Sequence, residues 1–434
     1  MRTNITFSLK NRLYFLCLVA SAIFLNTACQ NDNIVGSSFI PVEPNIKVDT
    51  LLVGGFEPQN LKTFTGNLAF FSAGMYQDEL FGDVSAKGFL APGLVPSTVF
   101  NIFEDAEMYI LMFPQRFYGN QSGSITLGIH FVENRWRATA TDKDSEIQFN
   151  PVPFETITID ADSDSIAIRL PQEWVDRYDN EFFYFDEEDG NRDTNLVENE
   201  FGFAIVPIQG DIVSGISGTN ISFDQFGAIN YSGTRLLVRN PIPGEDNGDG
   251  DNTLLNDEDV EFEEFPIPFR GWAYTYDVDN QPNLETSHPV YNTFEKVVGF
   301  DLSDTFALFQ DQNISRAELV LFEDEDVLNN TLPTGHERLE SGRIQLYRLE
   351  SVDLDFIVTR AAIFEPLRNN NDGSFRINLT ETIRNIQLGA VFQGRLYISS
   401  GPNNGLFTPN LIVTDTTSIR SPKLIITRLD PQEN

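Results

Sequence analysis

One cysteine stands where a lipid can be attached. Thr27 and Ala28 lead directly into Cys29, the order of small residues that precedes a thiol destined for a thioether-linked diacylglycerol, with cleavage just before it. Asn26 occupies the place where such sites usually carry leucine, which here lies one residue early at Leu25. Ahead of it, Arg2, Lys10 and Arg12 are followed by the apolar run Leu13 to Leu25, with no acidic residue before Asp32. That run is about half the length a bilayer-spanning helix needs, so residues 1–28 read as a signal peptide and residues 29–46 as a lipidated tether. The only other cysteine, Cys17, lies inside the signal peptide, which leaves the mature chain no disulfide to form.

Two acidic loops have the spacing of calcium ligands, since a hard cation takes several carboxylate and carbonyl oxygens from one turn. Asn247, Asp249 and Asp251 stand at the first, third and fifth positions of a calcium loop and Glu258 at the twelfth, with Leu254 at the apolar eighth; Asn252 replaces the turn glycine. Asp189, Asn191, Asp193 and Glu200 repeat the spacing with Thr194 at the turn. The same residues suit a solvated, mutually repelling acidic segment, and that is the favoured expectation for the stretch 241–264.

Trp272, Tyr274 and Tyr276 alternate with small residues, which puts three aromatic rings on one face of a strand. Such a face can stack on a sugar or fill a core, and burial is the favoured reading. His130, His288 and His336 have no metal-type spacing, and no GxSxG, HExxH or glycine-rich phosphate loop occurs. His130 reads as a structural or surface histidine. A glycoside hydrolase needs only two carboxylates roughly 5–10 Å apart, and the 64 Asp and Glu residues neither favour nor exclude a pair.

The elements that must position these residues are strands. Short alternating runs such as Ile166-Ala167-Ile168-Arg169-Leu170 and Ile344-Gln345-Leu346 are separated by Gly, Asn, Asp and Pro, the pattern of an all-β chain. Helical signals are confined to Pro171 through Tyr178 and to a turn capped by Thr380 with Ile383 and Ile386. Both follow a strand ending in leucine, and this points to a duplication. Ala106 to Ile110 resembles Ala317 to Leu321, 211 positions on; Ser165 to Leu170 resembles Ser374 to Leu379, 209 positions on; Arg235 to Val238 resembles Lys423 to Ile426, 188 positions on.

Runs such as Leu319 to Phe322 are apolar on both faces, as in packed two-sheet structures. The expectation is two tandem jelly-roll-like β-sandwiches, at 47–240 and 265–430, joined by the acidic linker 241–264. The second is expected to begin with a strand from Gly271 to Asp277.

Removing Arg2, Lys10 and Arg12 with the leader takes the formal charge from −35 to −38, which argues against a nucleic-acid partner. Gly74-Met75-Tyr76-Gln77-Asp78 with Phe81-Gly82, Ile314 to Leu321, and Ser421 to Thr427 together resemble a family of uncharacterised Bacteroidota lipoproteins, domain of unknown function 4270. The resemblance spans most of the mature chain and implies a lipid-anchored outer-membrane protein with no catalytic residue to carry over. In that phylum, acidic residues just after the lipidated cysteine resemble a surface-export signal, and Asp32 in Cys29-Gln30-Asn31-Asp32 fits it.

The expectation is therefore a non-catalytic protein facing the cell exterior that binds a protein partner or a surface polymer, as an accessory subunit of a transport or assembly complex. The alternative is a polysaccharide-binding module or glycan-degrading surface enzyme.

Overall fold

The computed structural model describes residues 45–61, 63–93, 102, 105–182, 200–223, 229–242, 262–293, 296–309, 311–349, 360–389 and 395–430. The first half of the chain supplies β1 (Asn45–Leu52), β2 (Glu57–Asn60), β3 (Phe70–Asp78), β4 (Gly82–Pro92), β5 (Glu107–Met112), β6 (Pro114–Asn120), β7 (Ser124–Phe131), β8 (Glu155–Asp160), β9 (Ile166–Arg169), β10 (Phe203–Gly210), β11 (Ile212–Ser217), β12 (Asn220–Phe223), β13 (Ile229–Ser232) and β14 (Arg235–Pro241). The second supplies β15 (Phe262–Asp279), β16 (Ser287–Tyr291), β17 (Lys296–Asp301), β18 (Ile314–Phe322), β19 (His336–Glu337), β20 (Gln345–Leu349), β21 (Arg360–Phe364), β22 (Ser374–Asn378), β23 (Arg395–Ser399), β24 (Pro409–Val413) and β25 (Lys423–Asp430).

These strands build two sandwiches of one topology. In the C-terminal one, a four-stranded sheet runs β1-β25-β18-β22 and faces a five-stranded sheet β2-β17-β23-β20-β21. In the N-terminal one, the first part of β15 pairs β14, followed by β5 and β9. Its second sheet runs from the last part of β15 through β4 and β10 to β7 and β8. In the C-terminal roll, β1, β17, β18, β20, β21, β22, β23 and β25 taken in chain order give one sheet first-eighth-third-sixth and the other second-seventh-fourth-fifth, and the N-terminal roll has the same arrangement with β15, its last strand in the chain, in the first place. That is jelly-roll order, and the all-β expectation holds.

The register fixes the repeat. Arg169 faces Tyr109 where Asn378 faces Glu318, and Leu111 faces Arg235 where Val320 faces Lys423. The helix-preceding and final strands therefore align at the expected 209 and 188 positions. The segment expected at 211 aligns at 209 instead, so Ile110 and not Met108 matches Leu319. A slip of two keeps every side chain on its own face, which is why alternation could not detect it.

Hydrogen bonding crosses the expected domain limits in both directions. β1 and β2, the first strands of the described chain, belong to the C-terminal roll, where Asn45 opposes Asp430. β15 belongs to the N-terminal roll throughout, so Gly271 to Asp277 does not open the second sandwich; it pairs along β4. Each roll thus takes its first strand from the start of the other repeat. β15 passes from one sheet to the other at an irregularity between Phe269 and Gly271, and the equivalent passage from β1 to β2 runs through Gly54 and Gly55, the latter at φ 71°.

The helix Gln172–Phe182 follows Pro171 as expected and buries Trp174, Val175 and Tyr178. The helix Thr380–Gln387 also forms, but Thr380 is its first residue and not its cap. The hydroxyl of Thr380 accepts from Ala317 N–H at 2.9 Å, fastening the helix to β18 instead.

Candidate functional site

Cys29 and the first calcium-type loop, Asn247, Asp249, Asp251 and Glu258, lie outside the described residues, as do Asp189, Asn191 and Asp193 of the second. Its last member, Glu200, is buried; it pairs with Arg177 and accepts from Gly202 N–H at 3.1 Å. Among the described residues no group of three His, Cys, Asp or Glu side chains is placed to hold a metal ion.

The aromatic face is core. Tyr274 and Tyr276 are 2% and 3% exposed and stack on one another at 5.9 Å, and the Tyr276 hydroxyl donates to Thr293 at 2.6 Å. Trp272 is half-buried, its indole N–H donating to the Leu68 carbonyl at 2.7 Å. These three residues do not form an open stacking platform. Trp136 is likewise half-buried, packed against Phe89 and donating to Phe201 O at 2.7 Å. His130 is structural as expected, with Nδ1 2.7 Å from the Asn150 carbonyl.

The densest chemistry lies at the seam between the two halves of the chain. Asp78 ends β3, and Arg338 reaches it from the segment after β19, 260 residues on. Arg338 Nε and Nη2 each donate at 2.7 Å, one to each carboxylate oxygen. Tyr118 Oη adds a third donor at 2.7 Å, and the backbone N–H groups of Leu80 and Phe81 donate at 2.8 and 3.0 Å. The rest of the guanidinium is used as well: Nη1 donates to Leu328 O and the Thr331 hydroxyl, and Nη2 to Thr331 O.

Both side chains are nearly inaccessible, at 0% for Asp78 and 6% for Arg338. Burial pushes the Asp78 carboxyl up, but the hydrogen bonds and charge of Arg338, with Tyr118, outweigh it and hold the group below its ordinary value. Burial pulls Arg338 down, and the hydrogen bonds and charge of Asp78 carry it above its ordinary value.

Backbone geometry demands the glycines of this motif. Gly74 sits at φ 142° with Ile212 O only 2.4 Å from where a Cβ would be, and Gly82 at φ 88° with Asp279 O at 2.1 Å. So Gly74, Tyr76, Asp78, Phe81 and Gly82, noted in the sequence only as a resemblance, all serve one seam. What the sequence could not supply was the partner, because Arg338 carries no motif.

Beside the seam a cleft of about 640 Å³ is lined by Tyr76, Asp83, Asp211, Asp277, Asp279 and His336. Tyr76 Oη lies 2.7 Å from His336 Nδ1. Burial, followed by the charge of Asp78, pushes the phenol up to about 12, so it stays protonated at neutral pH. A second cleft of about 520 Å³ is lined by Glu133, Glu173, Trp174, Arg177 and Glu200. Burial raises the Glu200 carboxyl above its ordinary value despite the charge of Arg177.

No protein-family model matches the chain, and no curated protein matches it. Among solved structures, a protein of Parabacteroides distasonis described as secreted is similar at 9% identity over 87% of this chain and 99% of that one, with a TM-score of 0.18. The capsid structure of a Penaeus vannamei nodavirus is similar at 10% identity over 92% and 95%, with a TM-score of 0.16. At these scores neither structure bears on function.

Proposed function

We propose that this is a non-catalytic, lipid-anchored outer-membrane protein, facing the cell exterior, whose joined jelly rolls present a binding surface to a protein partner or surface polymer. The observation that carries this reading is the reciprocal placement of the first strands. The strand that follows the tether in sequence is built into the C-terminal roll, while β15 of the second repeat is built into the N-terminal one, so the two rolls are tied together by their first strands. The buried ionic chemistry is consumed in the same task, with Asp78 and Arg338 saturated by each other and their neighbours. The apolar run Leu13 to Leu25 leading into Cys29 supports the anchor, while the family resemblance finds no matching family model, and the outer membrane and binding within a transport or assembly complex are part of the proposal.

Two experiments test it. Cys29→Ser should move the protein from the membrane fraction to the soluble fraction. Unchanged membrane retention of that variant when the protein is produced alone refutes the anchor. Isolation of the wild-type chain in mild detergent should bring down a stoichiometric outer-membrane component that the Cys29→Ser chain still binds.

The glycan-acting alternative has one observation in its favour, the Glu200 carboxyl raised by burial at the edge of an open cleft. Hydrolysis of a polysaccharide by the wild type, lost in a folded Glu200→Gln variant, would establish it.

A further inference from the structure

We propose that β1 is a self-pairing edge: two copies of this chain join antiparallel through it, continuing the four-stranded sheet of each C-terminal roll into one eight-stranded sheet. This goes beyond the function proposed above and does not depend on the lipid.

The two rolls provide their own control. β1 and the first part of β15 hold the same place, each pairing with the last strand of its roll, so Ile46, Val48, Thr50 and Leu52 correspond to Phe262, Glu264, Pro266 and Pro268. Neither segment has a strand on its other side among the described residues. The N-terminal roll guards this edge with two prolines and a glutamate, common devices against strand addition. Proline has no N–H to give, so its positions mark where the N–H points away from the neighbouring strand. The same phase follows from β1 itself, because Val53 N–H donates inward to Pro422 O at 2.9 Å, and alternate residues of an antiparallel strand face opposite edges. The N–H and C=O groups of Ile46, Val48, Thr50 and Leu52 therefore point to the open edge. None of the four is proline or charged, and Ile46, Val48 and Leu52 are 61–63% exposed.

Charge selects a second copy as the occupant. With Val48 opposite Val48 of the other copy, Lys47 falls opposite Asp49 twice, setting opposite charges across the strands beside the Asp49–Arg428 pair of each copy. Sliding the register by two in either direction puts Asp49 opposite Asp49 or Lys47 opposite Lys47. The favoured register also places the edge-facing residues in hydrogen-bonded pairs. The chain outside the described part is long enough for the geometry: in this pairing the two Asn45 residues are about 20 Å apart, while the residues from Cys29 to Asn45 can span roughly 50 Å. Two lipids reach one membrane without strain.

The test is cross-linking of the full mature chain in mild detergent. Hydrogen-bonded antiparallel pairs have Cα atoms about 5.5 Å apart, within disulfide reach, so Val48→Cys should give a covalent dimer on mild oxidation. Thr50→Cys, which faces Ile46 of the other copy, and the wild type should not. Adding Thr50→Pro to Val48→Cys copies the guard residue Pro266 and should abolish the cross-link with the melting temperature unchanged. Should that variant fail to fold, Lys47→Glu in the Val48→Cys background sets Glu against Asp49 and should cut the cross-link several-fold. Val48→Cys that links no better than Thr50→Cys overturns the proposal. So does a cross-link that survives both the proline and the charge reversal.

Discussion

The two jelly rolls share a strand order but not a kind of core. The N-terminal core holds Tyr76, Tyr118, Trp174, Tyr178, Tyr274, Tyr276 and Tyr291, whereas among the described residues the main core of the C-terminal roll is built from Leu, Ile, Val, Phe and Ala, with Tyr347 and Tyr397 buried apart from it in a small cluster of their own. An aliphatic core is satisfied by close packing alone. A core rich in phenols and indoles must also supply hydrogen-bond partners, or leave polar groups stranded out of water. The Tyr118 hydroxyl finds its partner in Asp78, which is affordable inside protein only because Arg338 arrives from the other half. The core rich in phenols and indoles is therefore directional and dependent on the seam, and the one lined by hydrocarbon side chains is not.

Breaking the seam should have the largest effect. Arg338→Ala leaves the Asp78 carboxylate buried without its counter-charge and should cost about 3–5 kcal/mol, read from denaturant unfolding. Combining Asp78→Leu with Arg338→Met should recover most of that loss, because the desolvation of both charges is removed together; no recovery would mean that the pair does more than neutralise itself.

In the aliphatic core, Leu319→Ala should cost about 3 kcal/mol through lost burial and a cavity. A much smaller loss would show that the C-terminal roll relaxes around the gap. Tyr118→Phe deletes one donor to a charged acceptor and should cost about 2 kcal/mol, with the Leu319→Ala effect adding to it independently.

The smallest effect is expected from pH. Because the folded-state pKa of Asp78 is lowered, its contribution is fully present above the unfolded value of about 3.9 and is lost as pH falls through the folded value. Thermal melts should show the wild type losing stability relative to the Asp78→Leu, Arg338→Met double variant, starting as pH falls below about 4 and continuing through the folded value. Parallel curves across that range would place the acid transition in other carboxylates.

Local pattern carried much of this architecture. Alternation located β9, β18, β22 and β25, and the leucine-then-helix signature exposed the duplication, because inside-outside periodicity is imposed wherever one face is buried. Strand ownership was not legible. Trp272-Ala273-Tyr274-Thr275-Tyr276 reads as a strand in any neighbourhood, and nothing within it says that its partner is Leu90 to Ala86 and not a strand of its own repeat. The seam was half legible. Tyr76 and Asp78 sit in a motif with a family resemblance, but Arg338 lies in a stretch with no periodicity, and the ion pair is a product of tertiary approach. The aromatic strand was weighed correctly toward burial, since a ring every second residue fills a sheet interior as readily as it lines a groove.

The placement of β1 also sets a timetable for synthesis. Asp49 and Arg428, ion-paired across β1 and β25, are separated by 379 residues. A chain emerging amino end first can pair the strands of its N-terminal roll once β15 has appeared, yet the first strand of the C-terminal roll lacks its partner until β25 has been made. Loop-closure entropy rises only slowly with length, so the delay costs little free energy, but it costs time. Throughout that interval Ile46, Val48, Leu51 and Leu52 must travel unpaired. β25, made long after β1, is the strand that shelters it.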